Sequence, residues 1–214
     1  MLALYSRPDQ DDGKNVTLQD CLAAGNYINA YCGVQTLMRV VESHVYQRSG
    51  VIGDGTLHRV DKVEEGNSLP YDSSWVDVTT NDLKTRILGG YGNSYSRRYI
   101  RVTGEWGYGT WTSVPADPVP DGIVARLDSG DSMVYVYRAS DEWLTLTENA
   151  VASVGADDTL VQWVPPADLN IAAQSIARQM RIVRTTDGSR KQGVKKTWEV
   201  DTKMFKYLLS RFIR

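Results

Sequence analysis

The sequence predicts an α+β chain: a small helical core (N-terminal helix, central amphipathic helix, C-terminal helix), a β-hairpin and strand region, and an inserted small β subdomain. Three observations lead there. Apolar residues recur at helical spacing near both ends of the chain. Between those stretches, runs of alternating apolar and polar residues are separated by glycine-rich turns. Pro115, Pro118 and Pro120 then set off a second series of short β-rich runs.

The first helix is expected from about Thr17 to Cys32. Thr17 is a capping residue, and Asp20, three positions on, completes a weak capping box. Leu18, Cys21, Leu22, Gly25, Ile28 and Cys32 share one stripe, and Gly33 suits a left-handed stop. Cys21 and Cys32 lie three turns apart on that stripe, too far to bridge, so both are read as core residues. Val34, Leu37, Met38 and Val41 fit a helix as well as a strand.

From Val41 to Arg48 the residues alternate. The turn-rich Ser49–Thr56 then leads into Leu57-His-Arg-Val-Asp, which reads as a β-hairpin. Trp75-Val-Asp-Val-Thr and Tyr99-Ile-Arg-Val-Thr-Gly are further strands, with Gly89-Gly-Tyr-Gly-Asn as a loop between them. Met133-Val-Tyr-Val-Tyr, Glu142-Trp-Leu-Thr-Leu-Thr and Thr159-Leu-Val-Gln-Trp supply the inserted β subdomain over 110–162. Residues 1–109 and 163–214 make the rest, with 194–214 as a C-terminal tail.

Pro165 and Pro166 open the central helix, and Asp168 lies in or beside its first turn, where the helix dipole favours a carboxylate. Leu169, Ala172, Ile176, Met180 and Val183 form its stripe. The last helix is expected from about Thr202 to Phe212, with Phe205, Leu208, Leu209 and Phe212 as its apolar face.

The 214 residues are 42% hydrophobic and 23% charged, which is ordinary globular composition and excludes a disordered or fibrous chain. No apolar run reaches the roughly 18–20 residues of a membrane span, so no membrane partner is expected. Met1-Leu-Ala-Leu-Tyr runs directly into polar sequence, so no signal peptide is expected. Two cysteines fit a reducing compartment. The net charge of −2 conceals an asymmetry: residues 178–214 carry eleven Lys/Arg against three Asp/Glu, a balance of +8, while the remainder stands at −10. The C-terminal end is therefore expected to meet something acidic or apolar.

Chemical motifs fail on spacing. Asp9-Gln-Asp-Asp-Gly-Lys-Asn has its glycine one place early for a calcium loop and no closing Glu. Gly188-Ser-Arg-Lys-Gln-Gly is followed by Val194 where a phosphate loop needs lysine. His44 and His58, on the two arms of the expected hairpin, supply only two metal ligands. No carboxylate pair and no Gly-x-Ser-x-Gly elbow stands out, so neither catalytic residues, cofactor nor metal are expected, and the chain reads as a non-enzyme. Six tryptophans in β-rich surroundings fit a core or a subunit interface. The alternative is a β-rich binding module, for carbohydrate or protein.

Arg98-Tyr-Ile-Arg-Val-Thr-Gly-Glu-Trp-Gly-Tyr-Gly, followed by Trp163-Val-Pro-Pro-Ala-Asp-Leu-Asn-Ile-Ala-Ala, resembles the head–tail connector (adaptor) proteins of tailed bacteriophages, the gp6-like group also found in gene transfer agents. The residues that carry the likeness are Val102, Gly104, Trp106, Gly107 and Tyr108, then Val164, Pro165, Asp168 and Leu169. Ala23-Ala-Gly-Asn-Tyr-Ile-Asn-Ala-Tyr-Cys-Gly is similar to the family's first helix, and Leu127–Thr147 to a β insertion of some members. Residues 34–88 do not follow the pattern. The resemblance implies a structural subunit made in the host cytoplasm and built into the virion neck. There a dodecameric ring under the portal protein extends the DNA channel and carries a stopper or tail-completion protein. It also implies that the C-terminal segment docks on the portal, here through Phe205, Leu208, Leu209 and Phe212. Lys195, Lys196, Lys203 and Lys206 would meet acidic portal surface or, transiently and non-specifically, DNA.

Overall fold

The computed structural model describes residues 3–10, 16–47, 56–66, 76–77, 99–130, 132–187 and 205–213. Its elements correct the expected fold class. The chain is mostly β, with two antiparallel sheets and more strand than helix, so a helical core with β additions is not what it adopts. The helices over Leu18–Cys32 and Ala167–Asp187 lie where their patterns placed them, but the strands between them assemble into two full sheets instead of decorating a bundle.

The chain divides into two compact units, Met1–Met38 with Gly109–Arg214, and Arg39–Tyr108. The inserted piece of the sequence is thus 39–108, and the strands of 110–162 belong with the helices. The expected division at 110–162 took the proline cluster for a boundary. Physically the prolines only bridge two strands of one sheet.

In the first unit, α1 (Leu18–Cys32) begins at Thr17, whose hydroxyl accepts from the Asp20 amide at 3.3 Å while Asp20 Oδ2 accepts from the Thr17 amide at 2.8 Å. It ends at Gly33, φ 69°, a backbone that a side chain would strain. The ambiguous stretch after it is not helical: residues 34–39 run on without a helix, and the buried Leu37 donates its amide to Tyr5 Oη at 2.8 Å. Tyr5 Oη in turn donates to Asn29 Oδ1 on α1, and burial pushes the phenol up to about 12. Cys21 and Cys32 are buried and form no disulfide, as core packing requires.

Five strands follow: β5 (Thr110–Ser113), β6 (Val124–Ser129), β7 (Ser132–Ala139), β8 (Glu142–Thr145) and β9 (Thr159–Val164), in spatial order β5-β9-β6-β7-β8. One face carries Ala125, Leu127 and Val136 with Val134, Trp143 and Leu160 packed on them. β9 runs through Pro165 and Pro166 into α2 (Ala167–Asp187), which packs on α1. Leu169, Ala172, Ala173, Ile176 and Ala177 are its buried stripe.

In the second unit, β1 (Val40–Gln47), β2 (Leu57–Gly66), β3 (Val76–Asp77) and β4 (Tyr99–Trp106) lie in the order β1-β4-β2-β3. The expected hairpin of β1 with β2 is therefore absent: β4 separates them and pairs antiparallel with both. The reason lies in β4 itself. Ile100, Val102 and Trp106 project to one face and are at most 1% exposed, so this strand must sit centrally with a partner on each side.

Candidate functional site

The residues of the family resemblance fall into both units, and each does architectural work. In β4, Val102 and Trp106 are fully buried, with the His44 ring 4.4 Å from Trp106. Gly104 is obligatory there, because a Cβ would stand 2.1 Å from the Arg59 carbonyl oxygen on β2. Gly107 has φ 122° and turns the chain out of the strand, and Tyr108 follows half-buried. In the other unit Val164 closes β9, Pro165 is half-buried, and Leu169 is fully buried in α2. Asp168, in the first turn of α2, pairs with Arg211 at 3.2 Å.

That ion pair ties the C-terminal segment to α2. The C-terminal helix is shorter than its pattern: α3 covers Lys206–Leu209 and continues as a 3-10 turn over Ser210–Phe212. Phe205, Leu209 and Phe212 are buried at 1%, 0% and 1%, with α3 packed on α2. Leu208 is half-buried. The apolar face assigned to the portal is thus spent inside the chain's own unit, because an amphipathic helix buries against whichever apolar surface is tethered nearest. What remains outward is Tyr207, 93% exposed, with Lys206, Ser210, Arg211 and Ile213. Lys195, Lys196 and Lys203 lie outside the described residues.

Two buried carboxylates of the second unit, Glu64 and Glu105, are held by cations. Glu64 on β2 accepts from Arg101 Nε at 2.6 Å and Lys62 Nζ at 3.0 Å, and these partners pull its carboxyl down to about 2. Glu105 on β4 accepts from Arg39 Nη2 at 2.9 Å. Both are buried and locked as ion pairs across neighbouring strands, which suits rigidity and not proton transfer.

His44 and His58 do not share a site. They sit on strands separated by β4; His44 Nε2 meets Glu42 Oε1 at 2.6 Å and His58 Nε2 meets the Gly107 carbonyl at 2.9 Å. Among the described residues no group of three or more His, Cys, Asp or Glu could hold a metal ion. Asp9 of the calcium-like stretch pairs with Arg7 at 3.2 Å, and residues 11–15 lie outside the described set, as do Gly89–Asn93 and Gly188–Lys196. A cleft of about 350 Å³ beside the start of α2 is lined by Tyr5, Arg7, Ile123, Trp163 and Asn170, among others. Asn170 Nδ2 crosses it to the Tyr5 carbonyl at 2.9 Å and Gln10 Oε1 at 3.1 Å, while the buried Ser6 Oγ on its lining has no hydrogen-bond partner among the described residues.

One side-chain cluster was missed from sequence. On the face of the five-stranded sheet opposite Ala125 and Leu127, the Trp111 and Tyr135 rings stand 6.1 Å apart and within 21° of parallel. The Arg126 guanidinium carbon lies 5.3 Å from the Trp111 ring centre, and its Nε and Nη2 donate to Asp128 Oδ2 at 3.2 and 2.9 Å. Trp111 and Tyr135 are both half-buried. The signal was the alternation Val124-Ala-Arg-Leu-Asp, whose period of two places Arg126 and Asp128 together. No helix of the described residues is long and apolar enough to cross a membrane. Comparison with protein-family models, curated proteins and solved structures finds no match for this chain.

Proposed function

We propose that the chain is a structural, non-catalytic subunit of a tailed-phage neck, of the head–tail connector kind. It would assemble with copies of itself as a ring beneath the portal and bridge to the next neck or tail protein. The observation that carries this reading is the use of the two motif segments. One is the buried central strand of its sheet and the other the strand-to-helix passage into α2, where the motif's carboxylate, Asp168, is paired with Arg211. Paired buried carboxylates at Glu64 and Glu105 support it too, since they stiffen a sheet without offering an acid or base.

The charge asymmetry supports assembly. A C-terminal stretch at +8 and a body at −10 are complementary between copies or toward an acidic neighbour, the property a head-to-tail ring contact needs. With Phe205, Leu209 and Phe212 committed internally, portal contact would fall to Tyr207, Ile213 and Lys206, together with Lys195, Lys196 and Lys203. Contacts to DNA in the channel would be weak and non-specific, because tight binding would obstruct passage.

Gold-labelled antibody against the chain, applied to intact and tail-stripped particles of the virus that encodes it, tests the reading. Label at the head–tail junction of tail-stripped particles is expected. Label confined to the tail tip, or none on purified particles, would overturn it.

A further inference from the structure

We propose that the Trp111–Arg126–Tyr135 face of the five-stranded sheet binds a neutral carbohydrate. The proposal is independent of the connector reading, since Trp111, Arg126 and Tyr135 belong to neither motif.

The geometry is that of a platform. Arg126 and Asp128 project from one face of β6, and their register partners on β7 are Tyr135 and Met133, so a row of side chains crosses neighbouring strands. Trp111 reaches this row from β5, with its ring near-parallel to Tyr135 at 6.1 Å and the Arg126 guanidinium 5.3 Å from its centre. The opposite face already supplies the apolar cluster of Ala125, Leu127 and Val136. On the rings' own face Val124, Tyr137 and Trp163 are buried at 3%, 3% and 2%, so Trp111 and Tyr135 stand at the rim of a second core, and both keep part of their surface exposed.

The chemistry selects among planar ligands. Aromatic faces attract the C–H faces of a pyranose and equally the faces of nucleobases. The polar neighbours decide between them. Arg126 and Asp128 hold each other through Asp128 Oδ2, which presents a cation and a carboxylate side by side; Asp128 Oδ1 takes no part in those two bonds. A sugar hydroxyl both donates and accepts, and matches such a pair. A phosphate backbone meets instead a carboxylate at 35% exposure, on a part of the chain whose balance is −10. A neutral glycan fits this surface and a nucleic acid does not.

The test is an NMR titration of the full chain, following tryptophan indole signals, with cellopentaose, maltopentaose and chitopentaose. A ten-nucleotide oligothymidine forms a fourth arm. Saturable shifts with at least one sugar at millimolar concentration are expected. They should weaken about tenfold or more in Trp111→Ala and in Tyr135→Ala, and stay within about twofold in Trp143→Phe on the other face. Should Trp111→Ala fail to fold, Tyr135→Ala and Arg126→Met carry the comparison. No shift with any of the three sugars, a response that survives these substitutions, or a response to oligothymidine alone would overturn the proposal.

Discussion

Replacing Leu209 with alanine separates a C-terminal segment that belongs to the chain's own core from one held for a partner. The side chain is 0% exposed in a four-residue helix packed on α2. The substitution removes three carbon groups, at about 0.8 kcal/mol each for transfer from water, so the loss starts near ~2.5 kcal/mol. The unfilled space adds a cavity penalty that brings buried leucine truncations to about 2–5 kcal/mol. Tyr207 is the internal control. It is one turn away or less and 93% exposed, so Tyr207→Ala should change stability by no more than about 0.5 kcal/mol. Urea titrations of both variants, followed by amide exchange in α2 so that the first unit is read by itself, supply the numbers. A Leu209→Ala cost below about 1 kcal/mol would refute the burial of this segment in the free protein. It would also return Phe205, Leu209 and Phe212 to the list of candidate portal contacts.

Further predictions rest on the second unit and on the thiols. The Glu64 carboxyl is lowered from 4.5 to about 2 by Arg101 and Lys62, so it stabilises the ionised fold above pH 4.5 and loses that contribution as pH falls toward 2. A shift of that size corresponds to at most roughly 3–4 kcal/mol, reduced by screening at the half-exposed Lys62. The stability gap between wild type and Glu64→Gln, measured by urea unfolding, should therefore narrow as pH drops from 7 to 2.5. A gap independent of pH would contradict the ion pair. Gly104→Ala places a Cβ 2.1 Å from the Arg59 carbonyl oxygen and must push β2 from β4. A loss of about 2 kcal/mol or more is expected, with amide exchange accelerated in both strands, and an unchanged midpoint would rule out this register. Cys32, whose thiol burial raises to about 11, and buried Cys21 should resist an aromatic disulfide reagent at pH 8 in the folded chain and react fully in urea. Rapid labelling of the native protein would show that α1 opens.

Local features of this fold were legible and non-local ones were not. The Thr17 cap, the Gly33 stop and the stripe from Leu169 to Ile176 are short-range patterns, and helices α1 and α2 carry them within a residue or two of expectation. Strand pairing is decided by partners far away in sequence. That is why two alternating runs joined by a glycine-rich turn read as a hairpin, although β4, more than thirty residues after β2, comes between them. β6 was overlooked because Val124-Ala-Arg-Leu-Asp-Ser is short and carries one small and two charged residues, and with it went the Arg126 face. The C-terminal stripe was recognised, but an apolar face looks the same whether it closes on its own unit or on a neighbour. Only the placement of Phe205, Leu209 and Phe212 distinguishes the two.

Assembly is the claim on which the proposed function stands, and the masses formed in solution test it most directly. Mass photometry of the purified chain, alone and mixed with portal rings from the same source, reads both states in one experiment. A connector subunit is expected to give a species near twelve times the 23.9 kDa subunit mass, alone or as added mass on the portal ring. Portal rings of unchanged mass, with the chain remaining a monomer at every concentration, would contradict it.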